Sequence, residues 1–488
     1  MTPVLVILIP LTGAFLLPLL QFLSRKIIVL VVCLAGGLSF LGNIWGACSG
    51  WLRPTVHLAG GWPAHIGIAL IHDPLSSPFL LLAALGFGSV LICSFDRTEK
   101  FSWRFHVLLF LSWAAVNGIL STGDLFNLYV FYEIFSVSAY LLVAFSTMEW
   151  QAIEAGFKYL VFGTVGAMFF LFGTTYLFLF TGYLNMARIS EALISEPGLP
   201  VFIPAACFFI ALSIKTGAFP SHFWLPDAHS SAKSLVSALL SGVLVMVSIY
   251  VFIRLFSVVF IVLKPLVFPL MLGTGSLSLL TGHLMALRQN DIKRLLAYST
   301  VAHLGYILIG LGCASAAGFN AAIYHAFNHM AAKMGLFLTA GILASHAGTR
   351  KISELSGLGW DLPFVSILFV LFTAVLVGVP PLNGFMSKWY ITLACVERNQ
   401  AIPALLIILG TVISSGYYLR IIRRLFSGKG TQGTSKDRGA TWYVVTLMGV
   451  LCILLSLLPL FPVFTDTLHI LGNWIMDISM YKDLVMIP

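Results

Sequence analysis

The sequence predicts an all-α polytopic membrane protein with about fourteen transmembrane helices, and three observations carry that expectation. Of 488 residues, 59% are hydrophobic and only 9% are charged, against roughly 25% charged in an ordinary soluble domain. Runs of about 20 apolar residues recur from end to end, each long enough to cross roughly 30 Å of hydrocarbon as a helix. Basic residues gather in every second loop, the pattern that membrane insertion imposes. No aqueous fold could hide so much apolar surface. The formal charge of +9 would suggest a nucleic-acid partner in a soluble protein; here topology accounts for it, and the bilayer rather than nucleic acid is the expected surrounding.

In chain order the expected spans run approximately 4–23, 27–45, 77–93, 105–121, 125–145, 157–181, 201–224, 235–256, 266–287, 295–315, 320–345, 363–394, 403–425 and 442–460. The first segment, Pro3 to Leu23, lacks a basic n-region and a small-residue cleavage site, so it is expected to be a retained helix. Loops after odd-numbered spans carry Arg25, Lys26, Arg97, Lys100, Arg104, Lys233, Arg288, Lys293, Arg294, Arg350, Lys351, Arg423, Arg424, Lys429, Lys436 and Arg438. The positive-inside rule then places both termini on the outer side. The stretch from Gly46 to Leu75, residues 184–195 and the tail after Phe461 mix polar and apolar residues and are expected to be interfacial. The most polar stretch, Ser427 to Gly439, is too short for an extra domain, so residues 1–488 are expected to form a single membrane domain.

A charge near the bilayer centre costs at least about 2.5 to 3.5 kcal/mol on insertion scales, so each one inside a span is a functional candidate. Four stand out. Glu133 lies in LFNLYVFYEIFSVSAYLLVAF, Lys215 in CFFIALSIKTGAFP, Lys333 in AIYHAFNHMAAKMGLFL and Lys388 in VGVPPLNGFMSKWY. Burial makes a lysine's proton easier to remove, which suits the residue to carrying protons. A structural ion pair is the bland alternative for each, and for Lys388 so is a side chain snorkelling to the interface. His325, His329 and Lys333 recur at i, i+4 and i+8, on one helical stripe about 80° wide. Histidine takes and passes protons near neutral pH and can bind metal, but no H-E-x-x-H order accompanies the pair, so no metal is expected. The same histidines could instead simply hydrogen-bond neighbouring helices.

Pro220 follows Lys215 by five residues, and Pro380 and Pro381 precede Lys388. Spans seven and twelve should therefore break, and broken helices in corresponding positions point to an ion site near the midplane. Seven and twelve are five apart, as they would be if spans 4–8 (residues 105–256) and 9–13 (residues 266–425) were two copies of a five-helix unit. An odd number of helices makes such copies inverted. Residues 426–488 would add a C-terminal helix and an interfacial tail. Cys33, Cys48, Cys93, Cys207, Cys313, Cys395 and Cys452 are scattered singly, without the spacing of an iron–sulfur or haem site, so no cofactor is expected.

The segments TGDLFNLYVFYE, EAGFKYLVFGTVGA, KTGAFPSHFWLPDAHS, NDIKRLLAYSTVAHLGY, NHMAAKMGLFL and GVPPLNGFMSK resemble, in order, the signatures of the antiporter-like proton-translocation subunits. That family includes the D subunit of the Mrp Na+/H+ antiporter, the N, M and L subunits of complex I (NADH-quinone oxidoreductase) and relatives in membrane-bound hydrogenases. The match covers roughly residues 70 to 425, and TGDLFNLYVF reads most like the Mrp D subunit. The resemblance implies a hydrated polar axis through the membrane centre. Glu133 and Lys215 would be its coupling pair, Lys333 the central relay with His303, His325 and His329 as helpers, and Lys388 the residue leading to the exit. Two departures accompany it. Met246 stands where the family has a basic residue in span eight, and Lys233 and Leu235 stand where prolines are usual. A link between Lys215 and Lys333 would then run through water, His303 or a hydroxyl such as Ser248, or be missing.

The expected function is that of a subunit moving protons, alone or against Na+, in the prokaryotic inner membrane, beside other membrane subunits that include homologous antiporter-like ones. With no redox centre of its own, it would serve an ion-translocating oxidoreductase or a cation/proton antiporter. The competing expectation is a non-conducting structural or coupling subunit, which Met246 favours. A polytopic enzyme acting on lipid or sugar has only Asp227 and His229 to recommend it.

Overall fold

Several helices in this chain start where a short polar side chain takes free backbone N–H groups, and several stop where a glycine turns left-handed. Asp124 accepts from the Asn127 N–H at 2.8 Å, Asp291 from Arg294 N–H at 2.9 Å and Ser315 from Gly318 N–H at 3.1 Å. Gly182, Gly217, Gly348 and Gly378 follow helix ends with φ between 67° and 86°. The computed structural model describes residues 2–96, 102–145, 149–196, 200–430 and 439–486. Arg97, Lys100, Lys436 and Arg438, which contribute to the expected topology, lie outside them.

The helices are α1 (Pro3–Leu19), α2 (Arg25–Leu52), α3 (Ser76–Cys93), α4 (Trp103–Ser121), α5 (Leu125–Val143), α6 (Trp150–Thr181), α7 (Met186–Ser195), α8 (Phe202–Thr216), α9 (Trp224–Ser231), α10 (Ser234–Leu239), α11 (Val245–Arg254), α12 (Lys264–Leu287), α13 (Ile292–Gly312), α14 (Ala316–Ala347), α15 (Leu358–Asp361), α16 (Pro363–Val377), α17 (Asn383–Glu397), α18 (Ala401–Leu425), α19 (Ala440–Leu457), α20 (Pro462–Met476) and α21 (Ile478–Val485). Among the described residues, 11 helical segments are long and apolar enough to cross a membrane. Three shorter apolar helices join them, α1, α8 and α16. The last two are the first halves of expected spans seven and twelve.

Both of those spans are broken, as expected, but the glycines end the helices before the prolines are reached. Gly217 caps α8, its N–H reaching the Ile214 carbonyl at 3.1 Å while Ala218 N–H reaches Ser213 at 3.0 Å. Gly378 ends α16 in the same left-handed conformation. The segment from α10 to α11 runs on through wide π turns at Leu240–Leu244 and Leu255–Val259. From Leu235 to Val259 it is buried throughout, so it lies inside the bundle, between α8 on one side and α14 on the other. The second half of the chain is built around α14, which packs on α13, α16, α17, α19 and α20.

The stretch from Gly46 to Leu75 departs from the expected loop. It begins with the last two turns of α2 and then forms an antiparallel hairpin, β1 (Thr55–Leu58) with β2 (Ala69–His72). Strands of four residues are too short for alternation to stand out. The tail becomes α20 and α21, and α20 rests against α14. Cys313 and Cys395, 82 residues apart, bring their sulfurs to 3.5 Å between α13 and α17.

The most extensive helix pairing is α12 against α13, where small residues let two backbones meet. A Cβ at Gly282 would fall on the backbone of Ala302. At Gly273, on the same helix, nothing lies within 4 Å of that position. Gly273→Ala is therefore expected to stabilise α12 by up to about 1 kcal/mol through helix propensity. Gly282→Ala is expected to destabilise by about 1–3 kcal/mol through overpacking. Unfolding of the detergent-solubilised protein measures both, and equal effects would contradict the close approach.

Candidate functional site

α5 presents Tyr132, Glu133, Ser136 and Tyr140 on a polar stripe, and α8 ends in Lys215. A cation in a last helical turn faces the negative end of the helix dipole, and the break after Thr216 places it there. Lys215 Nζ donates to Ser136 Oγ at 2.6 Å, lies 3.6 Å from Glu133 Oε1 and sits 5.4 Å from the centre of the Tyr132 ring. The Lys215 side chain is 4% exposed and that of Glu133 37%. At an effective dielectric of about 20 the pair attracts by about 4.6 kcal/mol, an upper figure because solvent screens the Glu133 end.

Lys333 occupies the middle of α14 and is fully buried. Its Nζ donates to the Leu296 carbonyl on α13 at 2.7 Å. One turn away, His329 Nε2 lies 3.5 Å from Ser241 Oγ, which hydrogen-bonds Thr300 at 2.8 Å. Ser241 belongs to the π turn of the segment that carries Met246. His329 and His303 rings are 5.4 Å apart. His303 Nδ1 meets His325 Nε2 at 3.0 Å, and His325 Nδ1 meets Ser387 Oγ at 2.9 Å. The expected stripe on α14 is thus a line of imidazoles that faces α13 and ends at the residue preceding Lys388.

Lys388 does not snorkel. It is 4% exposed, and its Nζ donates to the Leu376 and Val377 carbonyls at 2.8 and 3.0 Å. Those are the last two residues of α16, so the helix break frees the oxygens that solvate the ammonium. Its Nζ also lies 4.6 Å from the centre of the Tyr306 ring. The two breaks correspond, but their lysines do not: Lys215 ends a first half-helix, whereas Lys388 lies in a second one. Among the described residues no group of three or more His, Cys, Asp or Glu could hold a metal.

Residues 122–414 match the family model described as NADH:quinone oxidoreductase/Mrp antiporter, TM. The chain belongs to this family. It is 35% identical over 435 residues to the N subunit of NADH-quinone oxidoreductase from Desulforudis audaxviator, covering 87% of this chain and 86% of that one. It is 30% identical to the D subunit of the Na(+)/H(+) antiporter from Bacillus subtilis, covering 93% and 92%. Its fold matches a chain of an archaeal membrane-bound sulfane sulfur reductase with a TM-score of 0.91, at 29% identity and 99% coverage of both. A chain of the Mrp complex from Dietzia shares the fold with a TM-score of 0.88 at 22% identity, covering 99% and 98%. As a member of this NADH:quinone oxidoreductase/Mrp family, the chain is a multi-pass membrane subunit of the antiporter-like kind.

A second ion pair in this antiporter-like chain, fully buried, does not stand out in the sequence. Asp73, just before α3, and Arg254, at the end of α11, meet at 2.7 and 2.8 Å. Trp474 of α20 donates to Asp73 at 3.2 Å, and the Arg254 guanidinium stacks on Tyr481 of α21 at 4.8 Å. One signal could have found it: Arg254 lies at the expected outer end of span eight, where the positive-inside rule disfavours a free cation.

Proposed function

We propose that this chain carries protons across the membrane within a larger complex, through Glu133 and Lys215, then Lys333, then His329, His303 and His325 to Lys388. What supports this most is that three lysines buried in an apolar bundle, the first of them beside Glu133, line up with serines and histidines. Glu133 holds the ammonium of Lys215, and withdrawal of the acid removes its counter-charge and frees the proton to move inward. Lys333 then hands charge toward the imidazole line, where each ring can accept at one nitrogen and donate from the other.

The place of Met246 need not interrupt this path. The Tyr132 ring lies 5.4 Å from Lys215 Nζ, its hydroxyl faces Ser248, and Ser248 shares a helical segment with Ser241, which hydrogen-bonds Thr300. Buried hydroxyls are also where ordered water is accommodated. Two hydroxyls and water then bridge the gap that the missing basic residue leaves.

The two broken helices support two inverted five-helix units, 105–256 and 266–425, with Lys215 and Lys388 beside their breaks. The alternating basic loops support both termini on the outer side, in a prokaryotic inner membrane. That similar chains belong to the Mrp complex and a sulfane sulfur reductase complex supports membrane partner subunits, with homologous antiporter-like chains expected among them. Glu133 is the one carboxylate paired with this line among the described residues, whereas Na+ favours several oxygen ligands, so H+ is the transported ion. Proton uptake by vesicles containing the parent complex should run equally fast in Na+-free buffer. An absolute requirement for Na+ would instead establish coupled Na+ movement.

A further inference from the structure

His283 of α12 was not among the residues that stand out in the sequence, and the line from Lys333 to Lys388 does not use it. It is fully buried, with both ring nitrogens engaged. Nε2 meets the Tyr306 hydroxyl at 3.1 Å and Nδ1 the Tyr417 hydroxyl at 3.2 Å. From there the polar groups continue both ways. Tyr417 packs on Tyr418 with ring centres 4.5 Å apart, and the Tyr418 hydroxyl bonds Ser299 Oγ at 2.8 Å. Ser299 lies one helical turn along α13 from Leu296, whose carbonyl holds Lys333. At the other end, Lys388 Nζ lies over the Tyr306 ring, and the Tyr306 hydroxyl faces Thr411, to which Lys388 also donates at 3.4 Å.

Resting on the proton-path reading above, we propose that His283 is a proton-relay residue of a second route. Ser299, Tyr418, Tyr417, His283 and Tyr306 form this route, which joins the surroundings of Lys333 to Lys388 beside the imidazole line. A neutral imidazole has one donor and one acceptor nitrogen, and a tyrosine hydroxyl can do both. A proton added at Tyr417 passes to Nδ1, while Nε2 gives its own proton to Tyr306 and so onward toward Lys388. Each group regains its starting composition once hydroxyls and imidazole reorient, and only O–H and N–H bonds change. Packing alone does not call for this set: burying a hydroxyl or imidazole costs free energy that phenylalanine would avoid, and three tyrosines, a serine and a histidine from α12, α13 and α18 are satisfied here mainly by one another.

Two parallel routes predict a particular pattern in vesicles of the parent complex driven by its own substrate. His325→Phe cuts the imidazole line and His283→Gln the second route, glutamine keeping hydrogen bonds to both tyrosines while being unable to relay. Each single variant is expected to retain part of the proton uptake, and the double variant to lose it. Tyr417→Phe, which removes one hydroxyl and little volume, is expected to behave as His283→Gln does in the His325→Phe background. Full uptake by His283→Gln, with a double variant no worse than His325→Phe alone, would overturn the proposal and leave His283 a structural residue. Lys333→Ala and Lys388→Ala serve as the separate control. If they leave uptake intact, the underlying path fails; if they abolish it while the His283 variants do nothing, only the second route fails.

Discussion

Replacing Asp73 with alanine is expected to destabilise the protein by about 3–5 kcal/mol, the usual cost of stranding one member of a buried ion pair. The carboxylate is fully buried. It receives two hydrogen-bonded contacts from Arg254, one from Trp474 at 3.2 Å and one from the Ser76 N–H at 2.8 Å. Without it the guanidinium keeps the Tyr250 hydroxyl, at 3.1 to 3.2 Å, and two aromatic faces, none of which neutralises it. Because Asp73 precedes α3, Arg254 ends α11 and Trp474 lies in α20, the loss should also loosen the C-terminal segment. Denaturation of the solubilised protein checks the stability, and limited proteolysis checks the tail. Asp73→Leu combined with Arg254→Met should recover much of the loss, since replacing both partners by apolar groups removes the stranded charge. A double variant as unstable as Asp73→Ala would show that the hydrogen bonds, not the charge balance, matter here.

Glu133→Gln is expected to lower the proton-uptake rate by about a hundredfold or more, the range a positioned proton-transfer group contributes, without loss of assembly. The substitution keeps the shape of the side chain and its position 3.6 Å from Lys215, and removes only the charge. Glu133 is more than a third exposed, so little packing depends on it, whereas Lys215 has no other acid partner among the described residues. Native gel analysis of the complex separates the two effects. Loss of the complex together with uptake would make the pair a structural one.

The line of the site was legible because a charge inside an apolar run is conspicuous. Glu133, Lys215, Lys333 and Lys388 each interrupt twenty or so apolar residues, and the i, i+4, i+8 spacing of His325, His329 and Lys333 fixed their common face. His303 on α13 was harder to place, because its pairing with His325 depends on how α13 and α14 cross. Asp73 was hidden by context: in a mixed segment that reads as a loop, an aspartate attracts no notice, and its partner is 181 residues away. His283 and its tyrosines were missed because polar aromatics in an apolar helix look like packing. The two helix breaks were expected for prolines, yet Gly217 and Gly378 end the helices, for only a residue tolerant of positive φ closes the last turn without strain. Expected span two stops at residue 45 while α2 runs on to Leu52, because Ser49 and Gly50 look like loop residues until Ser77 of α3 is seen against Gly50.

The central claim is that Lys333 carries protons despite the methionine at position 246. Proton uptake into vesicles containing the purified parent complex, driven by its own substrate, compares the native chain with Lys333→Ala most directly. A loss of uptake with all subunits assembled is the predicted result; uptake at the native rate would show that this line is idle and that the chain serves its complex as a structural or coupling subunit.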